Sequence, residues 1–172
     1  MTETTARSQQ GPPAHETFAA QFREAMSRFP SGVTIVTTTD HCGARWGFTA
    51  SAFCSVSAEP PLVLACLAVS ADSYRAFRTS SKWVVNILGE EHAPLANRFA
   101  TKGADKFAGG EFDTDADGLP VLPEAVASLV CRTQARQPAG DHVILIGEAV
   151  NVRLRDQNPL VYYARDFARL SA

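Results

Sequence analysis

The sequence predicts a mostly β domain: an antiparallel, Greek-key-like barrel with peripheral helices. Three observations carry that prediction. Short runs of β-branched and aromatic residues recur along the chain, separated by Gly, Pro and Asp turns. Helical spacing is confined to short stretches near residues 17–29, 74–78 and 93–100. The long helices that a parallel βα arrangement needs between its strands are missing, and closing many short strands into a barrel removes their exposed edges.

Taken in order, Met1 to Ala14 is rich in Thr, Ser, Gln, Gly and Pro and reads as a disordered tail, leaving 15–172 as one domain. From Thr17, the residues Phe18, Phe22, Ala25, Met26 and Phe29 fall on one helical face, expected to dock on the core, and Pro30 and Gly32 stop that helix. Val33 to Thr39 is β-branched throughout. The polar Asp40–Ala44 segment, with Gly43, turns it into a second strand, Arg45–Thr49. Phe53–Ser57 and Leu62–Leu67 read as strands broken by Glu59-Pro60-Pro61. A short helix at Tyr74–Arg78, a strand at Trp83–Leu88 and a helix at Ala93–Ala100 follow, and Thr101–Pro123 reads as loop. Ala127–Arg132 alternates as a strand, Gln137–Gly140 turns the chain, and Val143–Ile146 is continuously apolar, so both its faces are expected to be buried. Val150, Val152 and Leu154 then alternate with polar residues, and a last strand runs over Leu160–Ala164.

Composition excludes several classes. The 172 residues are 45% hydrophobic and 20% charged, ordinary for a soluble protein. With 16 basic and 18 acidic residues the formal charge is −2, which argues against a nucleic-acid-binding module. No apolar run approaches membrane-spanning length, and no secretory leader pattern is present. Cys42, Cys54, Cys66 and Cys131 lie outside metal-ligand spacing and form no CxxC pair, so they read as reduced thiols of a cytoplasmic protein, and no metal is assigned. There is no GxGxxG, no P-loop, no HExxH and no GxSxG. Asp113-Thr114-Asp115-Ala116-Asp117-Gly118 with Glu124 fits the spacing of a Ca²⁺ loop, but Pro120 and Pro123 fall where the exiting helix would begin, so an acidic surface turn is the plainer reading.

The chemistry-bearing residues are spread along the chain. Gly47 to Leu62 is dense in small and hydroxyl residues, among them Thr49, Ala50, Ser51, Ala52, Ser55, Val56 and Ser57. Small residues let a flat ring approach the backbone, and hydroxyls and free N–H groups can pair with its polar edge. Alone, this is also what an ordinary sheet looks like. Ser70-Ala71-Asp72-Ser73-Tyr74, Arg98-Phe99 with Lys106-Phe107, and Gly140-Asp141-His142 leading to Gly147-Glu148 add to it. Asp72 is a candidate helix cap. Phe99 and Phe107 belong either to the core or to a ligand wall.

The ordered set resembles the flavin reductase family that serves two-component monooxygenases, especially members paired with aromatic-polyketide oxygenases. It comprises Phe22-Arg23, Pro30-Ser31-Gly32-Val33, Gly47-Phe48-Thr49-Ala50-Ser51, Ser55-Val56-Ser57, Pro60-Pro61-Leu62, Asn86-Ile87-Leu88, Lys106-Phe107, Gly140-Asp141-His142, Gly147-Glu148 and Tyr162-Tyr163. The resemblance covers about Thr17 to Leu170. It implies an FMN-binding split barrel, FMN or FAD as the flavin, NADH or NADPH as hydride donor, and a homodimer with the flavin site near its interface. It also implies a partner monooxygenase reached by diffusing reduced flavin. By the same resemblance His142 lies by the nicotinamide, where it orients the pyridine nucleotide, and Tyr162, Tyr163 and Arg165 are weaker candidates for that site. Ser70, Ser73, Arg98 and Lys106 are candidate donors to the flavin phosphate that the resemblance implies, and Ala52 stands where many members carry another serine. A non-catalytic flavin carrier on the same barrel is the alternative reading, and a calcium-binding interaction domain a more distant one.

Overall fold

The computed structural model describes residues 14–170. The expected tail therefore lies outside the described residues, except Ala14, which opens helix α1 (Ala14–Ser27). The strands are β1 (Ser31–Gly32), β2 (Thr34–Thr39), β3 (Arg45–Ala50), β4 (Phe53–Ala58), β5 (Pro61–Ala68), β6 (Lys82–Ile87), β7 (Asp113–Thr114), β8 (Pro120–Val121), β9 (Ala127–Ala139), β10 (His142–Leu154), β11 (Val161–Tyr163) and β12 (Asp166–Ala168). Helices α2 (Tyr74–Thr79) and α3 (Ala93–Ala100) complete the set.

Seven strands form one antiparallel sheet in the order β3-β2-β6-β9-β10-β5-β4. Its two edge strands, β3 and β4, are consecutive in the chain, so the sheet must curl until its edges meet at Ser51 and Ala52. At that seam Cys66 N–H donates to the Ala52 carbonyl, 3.0 Å away. Register shifts at Ile146/Gly147 and Ala149/Asn151 place one bulge in β9, at Gln134, and one in β10, at Val150, and bulges sharpen strand curvature. Gly147 lies opposite the first for a packing reason: a Cβ there would sit 2.5 Å from the Trp83 ring.

The barrel interior is apolar. Val36, Phe48, Ala65, Leu67, Trp83, Val85, Cys131 and Leu145 meet there, and Phe77 of α2 plugs one end edge-on to Phe48, ring centres 5.1 Å apart. A second cluster lies outside β2, where Leu95, Ala96 and Phe99 of α3 cover Val33 and Ile35. Buried Asn86 ties the layers: its Nδ2 donates to the Ile35 carbonyl, and its Oδ1 accepts from Leu122 N–H and the Ser128 hydroxyl.

Several sequence expectations are corrected. The apolar face of α1 does not dock on this chain: Phe18 is 69% and Phe22 58% exposed, because α1 touches the body mainly at its C-terminal end, where Ala164 N–H donates to the Ser27 carbonyl. Val143–Ile146 is buried fully on one face only, since Ile144 and Ile146 face outward and are half-covered. β9 runs through Gln137, Pro138 and Ala139 instead of turning there, and the turn is at Gly140 (φ +60°) and Asp141. β1, β7, β8 and β12 fall where no strand was expected; each is two or three residues long, too short for a periodic signal.

Candidate functional site

A cleft of about 310 Å³ opens where β3, β5 and the start of β10 meet the β5–α2 turn and α3. Its walls follow from register. Cys66 and Ala68 face outward on β5, opposite Ile144 and His142 of β10. Gly47 and Thr49 come from β3, which is an edge strand and so presents unpaired backbone N–H and C=O groups along one side. Phe99 forms the back wall within an aromatic cluster, with Phe107 at 5.1 Å and Phe112 at 5.2 Å between ring centres. Gly47 must lack a side chain here, since a Cβ would sit 2.7 Å from Phe99 Cε1.

Polar groups converge on this cleft. Ser73 is 1% exposed, and its hydroxyl has no hydrogen-bond partner among the described residues. An unpartnered buried hydroxyl costs about 1–3 kcal/mol, and lining a cleft gives it a route to a ligand. Lys106 Nζ donates to the Phe99 carbonyl at 3.0 Å and the Thr101 carbonyl at 2.8 Å, holding the end of α3. Burial draws the Lys106 ammonium below the usual lysine range, against the opposing pull of Asp72. Asp72 does not cap α2; its Oδ2 accepts from Gly103 N–H at 2.7 Å and so joins two walls of the cleft. His142 Nδ1 lies 2.7 Å from Asp141 Oδ1, and that hydrogen bond is the main cause holding the Asp141 carboxyl below its ordinary range. In the neutral ring this contact keeps the proton on Nδ1 and leaves Nε2 an acceptor. Burial, reinforced by Cys54, pushes the Cys66 thiol up, so it stays protonated at neutral pH.

The cleft gathers Thr49, Ser70, Ser73, Phe99, Lys106 and His142 from the sequence candidates. Phe107 lies just beyond it, in an adjoining hollow. Ala50 points into the barrel core, Ser51 and Ala52 are exposed at the seam, and Ser55, Val56 and Ser57 lie along β4 away from the cleft. Arg98 is turned away by Glu111, its Nη1 donating to Oε1 at 2.8 Å and Oε2 at 3.1 Å. Tyr162, Tyr163 and Arg165 belong to β11 and the turn after it, remote from the cleft; Tyr162 packs on Phe167, and Arg165 pairs with Glu24 of α1. Sequence reasoning did not single out Lys102, Cys66, Ala68 or Ala100 as lining residues. Lys102 could have been found from its place four residues before Lys106, whereas the outward register of Cys66 is not visible in an apolar run.

The acidic loop forms no cation cage. Asp115 Oδ1 accepts from Asp117 and Leu119 N–H groups within its own turn, Asp117 pairs with Lys82, and Glu124 with Arg155.

The curled antiparallel barrel thus carries an edge-strand cleft that combines a histidine, lysines and an unpartnered serine. Residues 26–171 match the family model described as flavin reductase like domain, and the chain belongs to that family. It is 51% identical over 149 residues to the actinorhodin polyketide dimerase of Streptomyces coelicolor, covering 86% of this chain and 84% of that one. It is 45% identical over 149 residues to the NADH:riboflavin 5'-phosphate oxidoreductase of Streptomyces pristinaespiralis, covering 85% of each. The fold superposes with a TM-score of 0.85, at 28% identity, on the NADH:FAD oxidoreductase SgcE6 of Streptomyces globisporus in complex with NAD and FAD fragments, covering 94% of this chain and 98% of that one. The architecture is that of the flavin reductase split barrels.

Proposed function

We propose that the protein is an NAD(P)H:flavin oxidoreductase that reduces FMN or FAD and supplies the reduced flavin to a partner monooxygenase. The observation that carries the reading is the Ser73 hydroxyl, buried and without a partner in a cleft that also presents Lys102, Lys106 and His142. Ser73, Lys102 and Lys106 fit a flavin phosphate. Ser70 and Ser73 offer hydroxyls, Lys102 and Lys106 supply positive charge, and the free edge of β3 at Gly47–Thr49 offers backbone groups to a ring's polar edge. When bound, the flavin supplies the two-electron acceptor.

The chain's own residues chiefly position the reactants. Phe99 and the Cys66 thiol give the cleft apolar walls that exclude water. Asp141 fixes the His142 ring, which orients the nicotinamide at the cleft mouth. The Asp141–His142 contact needs an ionised Asp141. Since its folded pKa is lowered, the contact persists down through the ordinary carboxylate range and is lost as pH falls through that depressed value.

We also read the chain as half of a homodimer acting in the cytoplasm, where four free thiols are at home. Support for the dimer comes from its surface. Leu64 and Ile146 continue outward from Cys66 and Ile144 on the face that carries the cleft, and Val56, Val150, Val152 and Leu154 are exposed on the same three strands. Exposed apolar area of this kind marks an interaction surface.

The test is NADH or NADPH oxidation followed by absorbance, with excess FMN or FAD under air. Turnover is expected with at least one pair. Flavin binding without turnover would establish a carrier instead, and neither binding nor turnover would overturn the reading. His142→Ala should raise KM for the pyridine nucleotide or slow reduction at least tenfold while leaving flavin affinity unchanged; unchanged kinetics would remove His142 from the site.

A further inference from the structure

The flavin cleft does not end at Lys106. A second hollow of about 280 Å³ adjoins it, and the two share Gly47, Asp72 and Lys106 as their common border. Its far side is built from Arg45, Trp46 and Phe107. We propose that this hollow is a subsite for the adenylyl half of an adenine dinucleotide, with Arg45 as its stacking residue. The proposal rests on reading the first cleft as the flavin site.

The chemistry of the hollow is specific. The Arg45 guanidinium lies over the Phe107 ring, its Cζ 4.7 Å from the ring centre, so the aromatic covers one side of it. Arg45 is exposed, and no carboxylate pairs with it among the described residues. A guanidinium covered by an aromatic on one side and exposed on the other can take a purine base on its free side, with charge left over for a phosphate. The neighbouring Trp46 is pinned as well: its Nε1–H donates to Asp40 Oδ2 at 2.9 Å, and Asp40 Oδ1 accepts from the Cys42 and Ala44 N–H groups. Three N–H donors hold that carboxylate below its ordinary range, so the anchor stays charged. The opposite wall is tied down by Asp72 through Gly103 N–H and by Asp105 through Phe107 N–H. The hollow is therefore preformed, which spares an incoming ligand the ordering cost.

Its position matters as much as its lining. Lys106 stands between the two hollows, where a phosphate reaching from the flavin cleft would continue into a second phosphate and an adenosine. FMN ends before this border and FAD crosses it. The adenosine of NADH or NADPH has the same chemistry, so the two sources are separated by experiment.

The test uses the full-length protein and compares Arg45→Ala and Arg45→Lys with the parent. Affinities for FMN and FAD are measured by calorimetry, and KM is measured for NADH and for the truncated donor, reduced nicotinamide mononucleotide. Arg45→Ala should weaken FAD at least fivefold while FMN stays within twofold; that result assigns the hollow to FAD. If instead the KM for NADH rises at least fivefold while that for the truncated donor does not, the hollow belongs to the pyridine nucleotide. Arg45→Lys, which keeps charge but loses the plane, should behave like Arg45→Ala. Equal effects on the long and short ligands, or no effect on any, overturn the proposal while leaving the flavin site intact. Loss of all flavin binding in the parent overturns both. Unchanged FMN affinity in the variants also shows that they are folded.

Discussion

Helices α1 and α3 carry similar sequence patterns and sit in opposite surroundings. In α3, Leu95, Ala96 and Phe99 lie on one face and are buried against β2 and the loop that follows the helix. In α1, Phe18, Phe22 and Met26 lie on one face and are exposed. An amphipathic pattern states that a face needs cover, and it does not state which chain provides it. For α3 the cover is local: Phe107 and Phe112 come from the residues just beyond the helix, and Lys106 folds back to its last carbonyls. For α1 the contacts come from far along the chain, at the β11–β12 turn. The difference separates the part of the molecule that builds the cleft from the part available to a second copy.

The largest expected effect tests the covered side. Phe99→Ala should cost about 3–5 kcal/mol of unfolding free energy, because it removes a 1% exposed ring from a three-ring cluster. Urea denaturation of the variant measures it, and flavin affinity should fall with it because Phe99 is the cleft's back wall. A cost below about 1 kcal/mol would mean that the cluster collapses to fill the space and that the wall is not rigid.

Gly47→Ala sharpens the same side by adding one carbon. Its Cβ would meet Phe99 Cε1 at 2.7 Å and the Val36 carbonyl oxygen at 3.1 Å, one of them backbone that cannot swing aside. Overpacking of this kind costs about 1–3 kcal/mol. A lowered melting temperature together with weaker flavin binding is expected, and unchanged binding would detach Phe99 from the ligand wall.

The exposed side predicts a different readout. Phe22→Ser should leave unfolding within about 0.5 kcal/mol when measured at concentrations where the chain is monomeric. In the homodimer proposed above, the dissociation constant, by sedimentation equilibrium, should rise at least tenfold, equivalent to about 1.4 kcal/mol. If the dissociation constant does not move, α1 lies outside the interface, and only the outer face of β4, β5 and β10 remains for it.

This contrast also shows what was legible in the sequence. The curled β architecture, the β2–β3 hairpin and α3 were readable, because alternation and turn chemistry report local geometry. Six candidate residues converge on the cleft: Thr49 on an edge strand, Ser70 and Ser73 in the turn leading into α2, Phe99 near the end of α3, Lys106 in the loop after it, and His142 at the start of β10. Arg98 and Tyr162 were not separable from them by sequence, because only the fold brings Glu111 to one and Phe167 to the other. Cys66 is the converse case, since its outward orientation depends on register against β10. The Asn86 network was invisible because its partners come from sites 36 to 51 residues away.

The smallest expected effect lies where α1 is attached. The β11–β12 turn places Ala164 at φ +51° and Arg165 at φ +67°, conformations that cost a side-chain-bearing residue roughly 1–2 kcal/mol each. Glycine at 164 removes that cost but brings about 0.5–1 kcal/mol of added chain entropy to lose on folding. Ala164→Gly should therefore stabilise the chain by less than about 1 kcal/mol, raising the melting temperature by about 1–3 °C. The Ala164 N–H to Ser27 carbonyl bond is made by backbone and survives the change. A fall in melting temperature would mean that α1 holds the turn firmly enough for the alanine to sit without strain. A rise would mean that one backbone bond and the exposed Arg165–Glu24 pair are all that fasten α1 within this chain. An exposed pair is worth little, so the remaining stability of the helix would have to come from whatever covers Phe22.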